Sequence, residues 1–166
     1  MRILGLDPGT ATVGYGLIEI EDGQPSLVTY GVLSTSPEDG DTSRRLQMIY
    51  EELNGLIEQY KPNLAAVEEL FFGRNITTAV RVGQARGVLL LALANAGIPV
   101  AEYSPPKIKE AVSGYGKASK EQVQFMVQNI LDLDEIPRPD DAADGLAVAL
   151  THFQYYRYES MVSENA

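Results

Sequence analysis

The chain has 166 residues, of which 45% are hydrophobic and 22% are charged, values that are typical of a globular protein of one domain. It contains no cysteine, which excludes a disulfide framework and a thiolate site, and we find neither an apolar run of transmembrane length nor a signal-peptide pattern. We therefore expect a cytoplasmic protein with a single domain over residues 1–158 and a disordered tail at 159–166.

Charge is distributed unevenly along the chain. The net charge at pH 7 is −10, which argues against indiscriminate binding to nucleic acid. Residues 73–120, however, contain seven basic and two acidic side chains, so this segment carries +5 and the remainder carries −15. The basic segment could contact phosphates while the rest of the surface stays acidic, although solvated helix faces would give the same pattern.

Three strands are predicted near the N-terminus. Residues 1–6 form a short apolar run, residues 15–20 alternate between apolar and polar side chains, and residues 26–33 are rich in strand-forming types. Their short connections predict an antiparallel meander. An amphipathic helix over 42–60 and a buried strand over 64–67 follow.

The second half of the chain is mainly helical. A long helix is predicted over 77–96, and because its segment 88–94 is apolar all round, we expect it in the core or beneath a partner. A fifth strand follows within 97–103. Further helices are predicted at 105–112, 119–131 and 140 to about 156. This order of elements predicts an α/β fold with a five-stranded mixed sheet flanked by helices.

Two acidic residues follow the apolar strands. Asp7 comes after the first apolar run and before a Pro-Gly turn, where an ionised carboxylate is costly unless it has a partner. Glu68 follows the strand 64–67, and we favour it over Glu69 as the acid that faces Asp7, because successive strand residues point to opposite faces. Each of these acids could also be an exposed residue at the end of a strand.

Three more acids open the last predicted helix. Asp141 and Asp144 are three residues apart and therefore share a face of that helix. The small residues beside them, including Gly145, would let this turn approach another backbone closely. Capping and the helix dipole would also explain acids at this position, and Asp140 fits the role of a cap best.

The candidate site is thus an oxygen-only set of four carboxylates, from Asp7, Glu68, Asp141 and Asp144. Four ionised carboxylates cannot share a pocket without cations. A set without cysteine or histidine suits Mg²⁺ or Mn²⁺, and we expect the single histidine, His152, to be structural. Two such ions, about 3.5–4 Å apart, would bracket a phosphate, with Asp7 as the bridging ligand.

With these residues the chain resembles the RuvC-type Holliday junction resolvases. The resemblance extends nearly from end to end, and the first and last matching segments together are highly specific. The matching segments are residues 3–10, 13–16, 67–71, 82–87, 122–124 and 141–147. The resemblance implies an RNase H-like fold and a homodimer that makes paired symmetric nicks in four-way DNA junctions. It also implies dependence on Mg²⁺, which agrees with the two ions per active site expected from the carboxylate set, where Mn²⁺ would substitute. The resemblance further suggests a RuvA–RuvB branch-migration complex as a partner.

The resemblance also assigns roles to individual residues. The four catalytic and metal-binding acids of the family fall on the set already reached from the sequence: Asp7, Glu68, Asp141 and Asp144. Its DNA-contacting lysines fall on Lys109 and Lys120, and an aromatic residue that meets the bases of the junction falls on Phe71. Arg74 lies in the adjacent loop and is a further candidate for DNA contact. Whether Phe71 or Phe72 meets the DNA is left open, as are the roles of Glu69 and Asp140.

Three other functions stay open at this point. The first is an RNA-processing nuclease with an RNase H-like fold. The second is a fragment of an actin-like ATPase, because residues 7–10 resemble the phosphate-binding turn of that superfamily, although such enzymes need two domains of this kind. The third is a non-catalytic junction-binding protein, which would gain nothing from four carboxylates that face phosphate.

Overall fold

The computed structural model describes residues 1–70 and 75–164 of the chain. This part contains five strands and five α-helices, in the order β1 (Arg2–Pro8), β2 (Thr12–Glu21), β3 (Gln24–Ser34), α1 (Thr42–Tyr60), β4 (Leu64–Glu68), α2 (Ile76–Asn95), β5 (Val100–Tyr103), α3 (Pro105–Ser113), α4 (Lys120–Ile130) and α5 (Asp140–Glu164). Their type and order agree with the prediction. The predictions for Phe71, Phe72 and Arg74 lie outside the described residues.

The strands form one mixed sheet in the order β3-β2-β1-β4-β5. β1 pairs antiparallel with β2, and β2 with β3, as their short connections predict. β4 and β5 join in parallel, and a helix precedes each of them in the chain. The predicted α/β fold with a five-stranded mixed sheet is confirmed, and β1 is its central strand.

Helices cover both faces of this sheet. One core contains Ile3 of β1 and Ala66 of β4 together with residues of α3, α4 and α5. The opposite core contains Leu4 and Leu6 of β1 with residues of α1 and α2. Because side chains alternate along a strand, every second residue from Ile3 faces α5, and this series includes Asp7.

α2 packs on the sheet with one face and presents another face to the surface. Leu89 and Leu93 are completely buried, whereas Leu91 is exposed, so the apolar segment 88–94 belongs only in part to the core. By length and composition α2 could cross a membrane, which differs from the expectation that no apolar run has that length. Its buried leucines place it in the core of this α/β fold.

α5 is longer than predicted. The sequence places its end near Tyr156, but the helix continues to Glu164. Residues 157–164 contain neither glycine nor proline, so no strong stop signal ends the helix earlier. The prediction of a disordered tail from residue 159 is therefore wrong for residues 159–164, which are helical.

Candidate active site

Two acids meet at the carboxyl ends of the parallel strands β1 and β4. Leu6 is in register with Val67, so the next residues along each strand, Asp7 and Glu68, are neighbours. Each acid lies two positions after a strand residue that faces α5, so both acids lie on that face of the sheet. A hydrogen bond joins the two carboxyl groups. Glu69 is exposed and lies beyond the strand. The structure thus places Glu68, and not Glu69, beside Asp7.

Glycines bring the first turns of α5 directly against the sheet. A Cβ atom on Gly14 would lie 1.7 Å from the carbonyl oxygen of Asp141, and one on Gly16 would lie 2.5 Å from the amide nitrogen of Leu146. On the helix side, a Cβ on Gly145 would lie 2.6 Å from the backbone of Tyr15. No other residue type would allow this approach. The predicted close contact of the Gly145 turn is therefore present.

The strand glycines have a positioning role that the sequence prediction did not assign to them, although they lie in the matching segment 13–16. Gly14 and Gly16 are two positions apart in β2, so both lie on the face that α5 covers. Glycines inside a strand commonly mark the close approach of another backbone, and this spacing is a signal that could have identified them. Their consequence is that the start of α5 reaches the end of β1.

Three carboxylates converge as a result. Oxygen atoms of Asp7, Asp141 and Asp144 all lie within 4.8 Å of one another, and each residue is half-buried. Glu68 adds a fourth carboxyl group through its hydrogen bond with Asp7. An oxygen-only donor set of this kind fits a hard divalent cation such as Mg²⁺ or Mn²⁺.

Crowding of these acids changes their protonation. Burial, together with the hydrogen bond and negative charge of Glu68 and the charge of Asp141, raises the pKa of Asp7 to about 9. Burial also raises the pKa of Asp144, assisted by the charges of Asp7 and Asp141 and opposed by Lys120. Asp7 therefore favours its protonated form near neutral pH, and a cation that favours the ionised carboxylate would compete with this proton.

Lys120 borders the carboxylates from the first turn of α4. Its Nζ donates a hydrogen bond of 3.0 Å to Oδ2 of Asp144 and lies 3.8 Å from Oδ2 of Asp140. Burial opposes the charged form of Lys120, but the hydrogen bond and charge of Asp144, with the charges of Asp140 and Asp141, raise the pKa of the ammonium. Asp140 also pairs with Arg138 and is the first residue of α5, a role that differs from the predicted cap.

A cleft of about 230 Å³ opens beside these groups. Its charged walls are three acids and two lysines, Asp7, Glu68, Asp144, Lys109 and Lys120. The remaining walls are apolar or small side chains of α3, α4 and α5. A phosphate can approach carboxylates closely only when cations lie between them, whereas the two ammonium groups attract it directly. The cleft therefore suits a phosphodiester held between cations and lysines.

His152 is not part of the group of acids at this site. Its Nδ1 shares a hydrogen bond of 2.8 Å with the hydroxyl group of Tyr103, and burial lowers its pKa. The half-buried ring contacts the ring of Tyr103. Among the described residues, His152 is not part of the group of side chains that could hold a metal ion. This agrees with the expectation that His152 is structural.

Comparison with known proteins identifies close relatives. Residues 3–152 match the family described as crossover junction endodeoxyribonuclease RuvC. The chain is 54% identical over its whole length to the RuvC crossover junction endodeoxyribonuclease of Syntrophomonas wolfei, of which it covers 96%. It is also 54% identical over its whole length to the corresponding protein of Moorella thermoacetica, of which it covers 99%.

Solved structures agree with these relatives. Thermus thermophilus RuvC in complex with a Holliday junction substrate matches with a TM-score of 0.90 and 39% identity over 96% of each chain. The yeast mitochondrial Holliday junction resolvase Ydc2 matches with a TM-score of 0.68 over 99% of this chain and 86% of its own. At 14% identity, the second likeness concerns the fold alone. The predicted RNase H-like fold is confirmed.

Proposed function

Because this chain belongs to the RuvC family of crossover junction endodeoxyribonucleases, we propose that it resolves four-way DNA junctions by cutting two strands symmetrically. The observation that carries this proposal is the convergence of acids from β1, β4 and α5 beside two lysines in one cleft. A protein that only binds junctions would gain nothing from carboxylates that face phosphate. The reaction is hydrolysis of one phosphodiester bond in each of two strands.

We propose that the catalytic acids are Asp7, Glu68, Asp141 and Asp144 and that they hold two Mg²⁺ ions, for which Mn²⁺ substitutes. The donor set supports this assignment, since it contains only carboxylate oxygens and three of the four groups lie within 4.8 Å of one another. When bound, the ions supply Lewis-acid stabilisation of the charge that develops on the phosphate. The carboxylates themselves must release their protons before they can act as ligands, which is more difficult for Asp7 than for an exposed acid.

Lys109 and Lys120 are proposed to hold the phosphates of the cut strand. Both lie in the wall of the cleft, and Lys120 directly contacts an acid of the proposed centre. A lysine ammonium is a mobile point charge that can follow a distorted strand without imposing one geometry. Phe71 is a proposed DNA contact on the family resemblance alone, and Arg74 is proposed because it lies beside Phe71 in the basic segment of the sequence.

The protein is further proposed to act as a homodimer that uses α2. Residues on one stripe of this helix are apolar and exposed: Ile76 at 79%, Val80 at 54% and Leu91 at 55%. They recur at intervals of one and three helical turns, so they form one face that a second copy could cover. A four-way junction has near two-fold symmetry, and a closed dimer provides two matching sites for two symmetric cuts.

The RuvA–RuvB complex as a partner and a location in the cytoplasm are proposals from the family alone.

A cleavage assay tests the proposed function. A synthetic four-way DNA junction, labelled in turn on each strand, is incubated with the protein in Mg²⁺ and in a chelator, and the cuts are mapped. We expect two cuts at symmetric positions in Mg²⁺ and none in the chelator. A linear duplex and an RNA hairpin serve as parallel substrates. Equal cutting of the linear duplex, or cutting of the RNA alone, would contradict the proposal.

The oligomeric state tests the role of α2. Sedimentation of the wild-type protein should give a dimer, and Leu91→Glu should give a monomer, because a carboxylate would be buried in the proposed interface. Phe125→Glu is the matched control, since Phe125 is equally exposed, at 57%, on α4. A wild-type monomer, or a Leu91→Glu dimer, would remove this face from the assembly.

A further inference from the structure

A second charged cavity lies on the sheet face opposite to the acids. It is formed where the turn after β1, the end of β3 and the helices α1 and α2 meet, and its volume is about 60 Å³. A cavity of this size holds a group of only a few heavy atoms. Its polar walls are Thr10, Thr35, Thr42, Arg45, Arg81 and Gln84. Two guanidinium groups and three hydroxyl groups thus share one small space.

Arg45 is held in place by neutral partners. Its Nε donates a hydrogen bond of 3.1 Å to Oγ1 of Thr35, and its Nη2 donates a longer bond of 3.5 Å to the carbonyl oxygen of Thr35. Thr35 is buried, so it fixes the orientation of the half-buried guanidinium. These contacts use two of the five donors of an arginine and leave its positive charge uncompensated.

Arg81, an exposed residue of α2, adds a second guanidinium group to the wall of the cavity. Within residues 1–70 and 75–164, neither Arg45 nor Arg81 forms an ion pair, whereas Arg2, Arg86 and Arg138 each pair with a carboxylate. Asp39 and Asp41, which precede Arg45 closely in the sequence, accept hydrogen bonds from the amide nitrogens of Ser36 and Arg44. In the described residues neither acid forms an ion pair with Arg45 or Arg81.

An anion between the two arginines would relieve their mutual repulsion. Guanidinium groups bind phosphate oxygens through paired, charge-assisted hydrogen bonds, and threonine hydroxyls can donate to the same oxygens. Two guanidinium groups that share one small cavity without an ion-pair partner therefore favour a ligand of negative charge.

The cavity lies close to the acids along the chain. Thr10 in its wall follows Asp7 by three residues, so their Cα atoms are at most about 11 Å apart. One DNA strand carries one phosphate for about every 3.4 Å along the helix axis. A phosphate in the cavity would therefore lie within about three or four nucleotide steps of the phosphate at the acids.

We infer that this cavity is a second phosphate-binding subsite, which holds one backbone phosphate of the junction through Arg45 and Arg81. The inference rests on the proposed junction-cutting function and adds a contact on the α1–α2 side of the sheet. It predicts that a strand of the substrate extends from the acid cleft past the turn after β1 to the opposite face.

Binding of a synthetic four-way junction in Ca²⁺, measured over a series of NaCl concentrations, tests the subsite. Arg45→Ala and Arg81→Ala should each weaken binding about tenfold and reduce the salt dependence by about 0.9 in the logarithmic slope. Arg44→Ala is the matched control, because it removes the same charge from the residue that precedes Arg45 in α1. Arg44 contacts Gln47 and lies outside the cavity. We expect a change of less than about twofold for this control.

A neutral methylphosphonate, scanned along the junction strands, then identifies the bound phosphate. A methylphosphonate at the linkage that occupies the cavity should weaken binding of the wild-type protein. It should not weaken binding of Arg45→Ala any further, because that variant already lacks the contact. Thr10→Val tests the same subsite without disturbing Thr35, since Thr10 is exposed, and should also weaken binding.

Three results would overturn the subsite. The first is a salt dependence of junction binding that is the same in both arginine variants as in Arg44→Ala, and the second is a methylphosphonate scan in which every neutral linkage weakens the wild type and Arg45→Ala equally. The third is stabilisation of the wild type by inorganic phosphate that the arginine variants lose while their junction binding is unchanged. In each case normal cutting by the wild-type protein would leave the proposed function intact. Failure of the wild-type protein to bind or cut the junction would instead remove the proposed function.

Discussion

Near the end of β1, one side of the sheet carries negative charge that a lysine partly compensates, and the other side carries positive charge without a carboxylate partner in the described residues. On the α5 side, carboxylates gather and Lys120 partly compensates them through Asp144 and Asp140. On the α1–α2 side, Arg45 and Arg81 share a cavity without a carboxylate partner in the described part of the chain. The first side suits cations, and we propose that the second side binds an anion directly.

The two sides also differ in how closely they pack. α5 lies on the strands through glycines, so helix and sheet backbones are in direct contact. α1 and α2 pack through large side chains such as Leu53 and Leu89, which leaves room for a cavity at the edge. Close backbone contact positions the acids with little freedom, whereas side-chain packing allows long arginines to reach a ligand.

The largest expected effect is the loss of cutting in Asp144→Asn. Removal of one carboxylate from the proposed metal centre should lower the cleavage rate by about 10³-fold or more, while junction binding in Ca²⁺ is retained or strengthened because one repelling charge is gone. Single-turnover cleavage and binding assays measure the two effects. Asp140→Asn removes the same charge from the same helix outside the group of three acids and should cut far better. Normal cutting by Asp144→Asn would show that the metal assignment is wrong.

Gly14→Ala tests whether the glycine contact positions the acids. A Cβ at this position would overlap the carbonyl oxygen of Asp141, so α5 must shift. We expect cutting to fall by about 10²-fold and the free energy of unfolding to fall by about 2 kcal/mol. Gly55→Ala in α1 is the control, since a Cβ there meets no atom within 4 Å and should be stabilising. Unchanged cutting by Gly14→Ala would separate the glycine contact from catalysis.

Lys120→Ala should have a smaller effect, on binding. We expect junction affinity in Ca²⁺ to fall by about tenfold and the logarithmic salt slope to fall by about 0.9, because one phosphate contact is lost. Lys117→Ala removes the same charge from an exposed position outside the cleft and should change the slope little. Equal slopes for the two variants would exclude Lys120 from the phosphate contacts.

The smallest effect concerns the stability of the protein without metal. Folding raises the pKa of Asp7 from 3.8 to about 9, so between these pH values the folded state binds a proton that the unfolded state releases. Stability therefore falls as pH rises through this window. Asp7→Asn should remove this loss and raise the free energy of unfolding at pH 8 by about 1–2 kcal/mol in a chelator. Thermal unfolding at pH 5 and pH 8 measures the effect, and Mg²⁺ should stabilise the wild type more than the variant. A wild-type stability that increases between pH 5 and pH 8 would contradict this account.

Several features were predictable from the sequence because they depend on local pattern. The helix over 42–60 is predicted with the bounds that the structure has, since its apolar residues recur at helical spacing after a capping aspartate. The choice of Glu68 over Glu69 follows from the alternation of side chains along a strand. The acids Asp7, Asp141 and Asp144 were identifiable because carboxylates are costly beside buried segments and therefore indicate a shared site.

Other features depend on contacts between distant segments and required the tertiary structure. The ion pair of Lys120 with Asp144, the orientation of Arg45 by Thr35 and the exposed stripe of α2 all arise from how helices pack on the sheet. The end of α5 also differed from the prediction, because propensity alone does not determine how far a helix continues. Sequence alone thus determined the elements, their order and the acids of the candidate site, since these follow from residue type and spacing. The distances between segments were decided only by packing, because they depend on which surfaces of the folded chain come into contact.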